Sequence, residues 1–191
     1  MKPTLAVMVK LPVAGRVKTR LGREIGMVPA AWWARHRIAR MARELTDKRW
    51  RLVLAVAPDA AVPSPALPPL PRLAQGSGDL GDRMARVFGA LPGPVLIVGA
   101  DIPGITRGHV AAGFRALGAH DAVIGPAPDG GYWAIGLKQR RALPRGLFAG
   151  VRWSSEHAFR DTLVTLSGLR TAFLPELADV DCAADLGRDS R

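Results

Sequence analysis

Residues 94–106 read PVLIVGADIPGIT, and the fold turns on how this stretch is read. PVLIVGA (94–100) is a continuous apolar run rather than an alternating one, the pattern of a strand buried on both faces. Asp101 follows it directly, so a carboxylate is carried to the rim of a buried sheet. Pro103 stiffens the turn and stops the strand from running on. Thr106 then supplies an N-cap for a helix over 106–118 that closes at Gly118. A strand, a short loop bearing an acid and a helix form one unit of an α/β sheet, and ligands of such sheets sit beyond the carboxyl ends of the strands. A carboxylate there suits Mg²⁺ or Mn²⁺, which take one or two protein carboxylates and complete their shell with phosphate and water. The alternative is that Asp101 only hydrogen-bonds the turn into the helix.

The same grammar extends outward. TLAVMV (4–9) and RLVLAVA (51–57) are buried strands. Between them, residues 30–46 carry Ala31, Ala34, Ile38, Met41, Ala42 and Leu45 at helical spacing, with Arg37, Arg40 and Glu44 on another face. PDAAVPSPALPPLPR (58–72) is too rich in proline for regular structure and reads as a surface loop. DLGDRMARVFGAL (79–91) is a helix. DAVIGPA and YWAIGL are strands joined by the Asp-Gly turn of PDGG (128–131). A helix near 154–167, a short strand RTAFL (170–174) and a polar tail follow. Alternation of this kind predicts a single α/β domain over 1–191, a doubly wound, mostly parallel sheet with helices on both faces.

Composition narrows the function classes. Of the 191 residues 48% are apolar, which argues against disorder. No apolar run approaches the ~20 residues of a membrane helix, and the opening MKPTLAVMVK lacks the features of a signal peptide. Cys182 has no cysteine to pair with, and no Cys/His spacing suggests zinc. The expectation is a cytoplasmic protein without a membrane partner. The net charge of +11 is concentrated: residues 1–51 hold 13 Lys/Arg against 3 Asp/Glu, and the remainder is nearly balanced. A directed field of this kind suits an anionic ligand or a nucleic acid.

The cations converge in KLPVAGRVKTRLG (10–22), where Lys10, Arg16, Lys18 and Arg20 surround Gly15 just after the first strand. A Walker loop needs glycine where this chain has Pro12 and Val17, so a backbone phosphate cradle is absent. What remains can clamp a diphosphate through side chains; the alternative is a solvated basic loop. GSGDLG (76–81) imitates a dinucleotide fingerprint, but LPRLAQ before it is a poor buried strand, and Asp79 would oppose a pyrophosphate at the helix N-terminus.

Taken in order, VKLPVAGRVKTRLG, GDLGDRM, VGADIPGIT, PAPDGGYWAIGL, VRWSSEHAFRDTL and LADVDCAADL resemble a small bacterial transferase family of the glycosyltransferase-A, or nucleotide-diphospho-sugar transferase, fold. Its members are often labelled radical-SAM/selenodomain-associated or arsenosugar-biosynthesis glycosyltransferases. The opening loop and Asp-x-Pro also look like those of small guanylyltransferases. The resemblance implies a metal-dependent transferase, with Mg²⁺ or Mn²⁺ as cofactor, a nucleotide-activated donor and a small-molecule acceptor. Glycosyl transfer is the reading it favours, and nucleotidyl transfer with release of pyrophosphate is the alternative. By resemblance Arg16, Lys18 and Arg20 match phosphate-loop positions and Asp101 the metal-binding aspartate, although it stands in Ala-Asp-Ile-Pro and not in Asp-x-Asp. Asp181, with Asp179 behind it, is the candidate second metal ligand, or else an N-cap. Asp129 lies in the loop that faces the acceptor in this fold, as a catalytic base or merely part of a hairpin turn. A different class of answer is a non-enzymatic nucleic-acid-binding domain that uses the basic first quarter.

Overall fold

The computed structural model describes residues 1–138, 142–180 and 182–190. Seven strands form one sheet in the order β3-β2-β1-β4-β6-β5-β7. At its centre, β1 (Thr4–Lys10) pairs in parallel with β2 (Arg51–Ala57) on one side and β4 (Val95–Gly99) on the other. β3 (Arg72–Ala74) extends the parallel half. β6 (Tyr132–Leu137) is antiparallel to both β4 and β5 (Ala122–Pro126), and β7 (Thr171–Phe173) pairs in parallel with β5. The mostly parallel sheet expected from the alternating pattern is present, with the Asp-Gly turn of residues 128–131 producing its single antiparallel strand.

Helices cover both faces, and the period-2 geometry of the strands distributes the core between them. Leu5, Val7 and Val9 of β1 and Leu96 and Val98 of β4 meet Ile38 and Met41 of α2 (Met27–Glu44) and Val110 and Leu117 of α4 (Arg107–Ala119). Ala6, Val95 and Ile97 point the other way, to Val87 and Phe88 of α3 (Leu80–Ala90) and Ala158 of α5 (Ala158–Thr165). Two helices begin with reciprocal caps: Asp79 with Asp82 on α3, and Thr106 with His109 on α4. No helix among the described residues is long and apolar enough to cross a membrane.

Several boundaries depart from the sequence reading for identifiable reasons. The end of the basic loop read over 10–22 instead enters a short helix α1 (Thr19–Ile25), whose Leu21 packs with Ala30 and Val180 in a small satellite core. LPRLAQ contributes the edge strand β3 despite its polar residues, because those residues are fully engaged. Gln75 is buried and donates from Nε2 to the carbonyls of Val9 (3.0 Å) and Ala55 (2.8 Å). The Arg72 guanidinium donates to Val62 (2.6 Å), Ser64 (2.9 Å), Leu67 (2.9 Å) and Pro68 (2.9 Å), collecting carbonyls that the proline-rich loop cannot pair within itself. Arg37, expected on the polar face of α2, is 2% exposed. It donates to the Ile102 carbonyl and has Glu44 at 3.8 Å, so α2 braces the turn that follows Asp101.

Candidate active site

The carboxyl ends of β1 and β4 are neighbours, with Met8 in register with Gly99, and the antiparallel β6 starts beside β4. The loop after β1, the turn after β4 and the β5–β6 turn therefore open onto one rim. They enclose a cleft of about 760 Å³. Lys10, Arg16, Lys18, Arg20, Asp101 and Asp129 all line it. Gly15 does not; it sits at φ +74 with open space around it and turns the loop. Asp181 lies outside the described residues, while Asp179 lines the cleft.

Lys18 is the joint of this rim. It adopts a left-handed backbone (φ 45, ψ 47) as it starts α1, which turns its side chain inward. Its Nζ lies 2.5 Å from Asp101 Oδ2 and donates to the Val180 carbonyl at 2.6 Å. The Val180 N–H in turn donates to the Asp101 carbonyl at 3.2 Å. Residues from the first strand's loop, the fourth strand's end and the C-terminal segment thus close a single knot. The sequence reading aimed Lys18 at phosphate; in this structure it also holds the acid expected to bind metal.

The donor set can be tested against a divalent ion. Among the described residues no three His, Cys, Asp or Glu side chains form a metal-holding group, which disfavours an ion caged by protein alone, as structural zinc is. A strand-end carboxylate beside a basic loop fits an ion that draws most of its ligands from phosphate and water. The ammonium at Asp101 marks the place where this carboxylate already stabilises positive charge.

The opposite wall comes from the turn 129–131 and the segment 153–156. Asp129 is exposed, and its Oδ1 accepts from the Gly131 N–H at 2.9 Å, so the Asp-Gly-Gly turn is self-locked. Gly130 stands at φ +82, and a Cβ there would lie 2.3 Å from the Glu156 carbonyl oxygen. The Phe159 N–H donates to the Gly130 carbonyl at 2.9 Å. The turn and the Trp-Ser-Ser-Glu segment are therefore a single unit, and α5 begins at Ala158 rather than 154 because Ser154 occupies a left-handed turn (φ 57). Tyr132 and Trp153 meet edge to face with centroids 6.4 Å apart. Burial pushes the Tyr132 hydroxyl above its usual range, so it stays protonated and serves as a packing group. Trp133 is buried with its Nε1 donating to the Pro175 carbonyl at 2.9 Å. Trp33, Trp153, Ser154 and Glu156 line the cleft without having been assigned roles in the sequence reading. WSSEH was visible there as a motif, but no spacing rule ties it to the rim.

The architecture and the site geometry define a nucleotide-diphospho-sugar transferase fold, the class that the ordered motifs resemble. Within it, the chain belongs to the family described as "Uncharacterized protein conserved in bacteria (DUF2064)", whose model matches residues 40–155. A solved structure from Desulfovibrio desulfuricans, provisionally assigned as a nucleotide-diphospho-sugar transferase, is 32% identical, with 95% of this chain and 83% of that one covered and a TM-score of 0.85. The 4-diphosphocytidyl-2C-methyl-D-erythritol synthase of Anaerococcus prevotii shares the fold at 10% identity, TM-score 0.62, covering 98% of this chain and 95% of its own. A Mycobacterium tuberculosis protein solved in complex with manganese does so at 14% identity, TM-score 0.57, covering 99% and 98%. No curated protein matches the sequence.

Proposed function

We propose that this chain transfers a sugar from a nucleotide-activated donor to a small-molecule acceptor, with Mg²⁺ or Mn²⁺ as its cofactor. The observation that carries the reading is the convergence of Lys10, Arg16, Lys18, Arg20 and Asp101 on one cleft at the carboxyl ends of parallel strands. Asp101 would hold the ion, whose contribution when bound is to neutralise the donor's diphosphate. The rest of the chemistry falls to the chain. Lys10, Arg16 and Arg20 bind the diphosphate from the loop side, while Lys18 orients the Asp101 carboxylate. Asp129 accepts the proton of the acceptor hydroxyl as that oxygen bonds to the anomeric carbon. The bond from that carbon to the phosphate oxygen breaks, and its electron pair leaves with the nucleoside diphosphate. Fixed cations at the departing phosphate stabilise this charge, and single groups so placed contribute ~3 kcal/mol in known enzymes.

The same cations would meet the pyrophosphate leaving a nucleoside triphosphate, so nucleotidyl transfer is the second reading. The products separate the two. Incubation with nucleotide sugars and Mn²⁺ is expected to release nucleoside diphosphate slowly, by leakage of the donor to water. Pyrophosphate from a nucleoside triphosphate, with no diphosphate from any sugar donor, would promote the second reading. Salt-sensitive RNA binding indifferent to metal and nucleotide would instead favour a nucleic-acid-binding role for the basic first quarter.

A further inference from the structure

Of the 13 cations in residues 1–51, four line the cleft and Arg37 is buried, so most of the excess charge lies elsewhere. Two more flank a groove of about 670 Å³ between α2 and the proline-rich loop. The helix contributes Arg35, Ala39, Ala42 and Arg43, and the loop contributes Leu67, Pro68, Pro69 and Leu70. No residue of this groove lines the cleft. Ala42 and Leu67 are buried, no Asp or Glu is in the lining, and the Thr46 hydroxyl there is tied to the Ala42 carbonyl at 2.6 Å. Arg35 and Arg43 are exposed, and among the described residues neither pairs with a carboxylate; Glu44 is engaged by Arg40 at 2.7 Å instead.

The groove continues an exposed stripe. Val28 (58% exposed), Trp32 (56%), Arg35, Ala39 and Ala42 stand four, three, four and three residues apart on α2, the seam spacing of helices that pack side by side. Arg35 lies 6.0 Å from the Trp32 ring, so stripe and groove are contiguous. The loop wall narrows the occupant further. Pro68 and Pro69 have no N–H, while Leu67 and Leu70 donate theirs to the carbonyls of Ser64 and Pro68. The Leu67 and Pro68 carbonyls are taken by Arg72, which also fixes the wall in place before anything binds. An extended peptide would find no ladder of backbone bonds there, whereas a helix satisfies its own backbone and offers side chains alone. A second copy of this chain, itself at +11, would bring like charge to the arginines. A bilayer surface or a phosphate backbone would leave the groove unfilled.

We infer that the outward face of α2 and the proline-rich loop form a docking surface for an acidic amphipathic helix of a partner protein. Its apolar side chains enter the groove and lie along Val28 and Trp32. Carboxylates about two turns apart meet Arg35 and Arg43, which stand eight residues or about 12 Å apart along α2. This surface is separate from the cleft and owes nothing to the transferase reading.

The test is fluorescence anisotropy of labelled synthetic peptides on the whole chain. Each peptide has three heptads. One carries Leu at a and d with Glu at e and g, the second replaces Glu by Lys, and the third keeps Glu and replaces Leu by Ala. The Glu/Leu peptide is expected to bind ~10-fold or more tightly than either of the others. The double variant Arg35→Glu/Arg43→Glu is expected to reverse the order, losing the Glu/Leu peptide and gaining the Lys/Leu one. Arg43→Gln, a milder change, is expected to give a smaller loss in the same direction. Trp32→Ala is expected to weaken the Glu/Leu peptide about threefold or more with its charge response intact. Melting temperatures check that the variants are folded. No binding by the Glu/Leu peptide, or an order unmoved by the charge reversal, would overturn the inference. So would tighter binding to phosphatidylglycerol vesicles or poly(U) RNA that the double variant abolishes, or a dimer in sedimentation that Trp32→Ala dissociates.

Discussion

Lys18 and Asp101, 83 residues apart, meet at 2.5 Å at the carboxyl edge of the sheet, the ammonium 13% and the carboxylate 32% exposed. The pair is half sheltered, which raises its worth above that of a surface ion pair. It also links two functions the sequence suggests separately, phosphate recognition by the loop and metal recognition by the strand-end acid.

Asp101→Asn keeps the shape of this joint and removes its charge. Nucleoside diphosphate affinity in the parent protein is expected to rise by about tenfold or more from EDTA to Mn²⁺, and in the variant to be equal in both. Lys18→Met is expected to speed amide exchange at Val180, whose N–H is held by the Asp101 carbonyl, even without metal. Parent protein binding equally well in EDTA would sink the metal role, whatever the variant does.

If the loop clamps a diphosphate as proposed, Arg16→Ala and Arg20→Ala each remove a charge-assisted contact worth ~1.5–3 kcal/mol, an expected loss of roughly ten- to a hundredfold in diphosphate affinity. Bare nucleoside binding is expected to change little. Lys2→Ala, exposed just before β1 at the strand's far end, controls for the general field and is expected to leave affinity unaltered. Equal small losses in all three variants, abolished by salt, would reduce the loop to a diffuse basic surface.

Arg72→Met tests the proline-rich loop. Four carbonyls lose their donor, and at about 1 kcal/mol net per hydrogen bond the expected cost is ~2–4 kcal/mol in urea unfolding. Nucleotide binding is expected to survive, because Arg72 does not line the cleft. A change below the error of the measurement would show that water replaces the guanidinium without penalty.

Acid stability follows from three ion pairs at the surface. Hydrogen bonds from the Arg152 guanidinium hold the Asp161 carboxyl well below its usual range, and Arg49 does the same for Asp47. Arg170 lowers Asp121, first through its backbone N–H and then through its guanidinium. A carboxyl depressed in the folded state contributes stability that is present above its unfolded pKa of about 4 and is lost as pH falls through the folded value. Tm is therefore expected to drop below about pH 4, and these groups are expected to add no pH dependence between about pH 6 and 8, where their stabilisation is fully present. Asp161→Asn is expected to flatten the acid slope, and added salt to shrink the difference. An unchanged slope in the variant would remove the pair from the account.

What the sequence shows of the fold is what strand and helix periodicity can carry. The apolar runs 4–9, 51–57 and 94–100 and the Thr106 cap are local patterns, and each element they predict is present. The edge strand β3 was obscured because Arg72 and Gln75 look wrong for a strand until their distant carbonyl partners are known. Arg37 was misplaced for the same reason, since its partner Ile102 is 65 residues away. Of the site, the basic loop, Asp101 and Asp129 could be singled out by residue type and position. Trp153 and Ser154 could not, because contacts between distant segments, Gly130 against Glu156 and Tyr132 against Trp153, bring them to the rim.

The knot at Val180 has a consequence for how the protein is made. Its carbonyl receives Lys18 and its amide holds Asp101, so the pocket's geometry depends on a residue translated long after both. While the ribosome still shelters that segment, the emerging chain can assemble its parallel strands but cannot finish the pocket. The cleft is therefore completed late in synthesis, when the segment through Val180 comes free and docks.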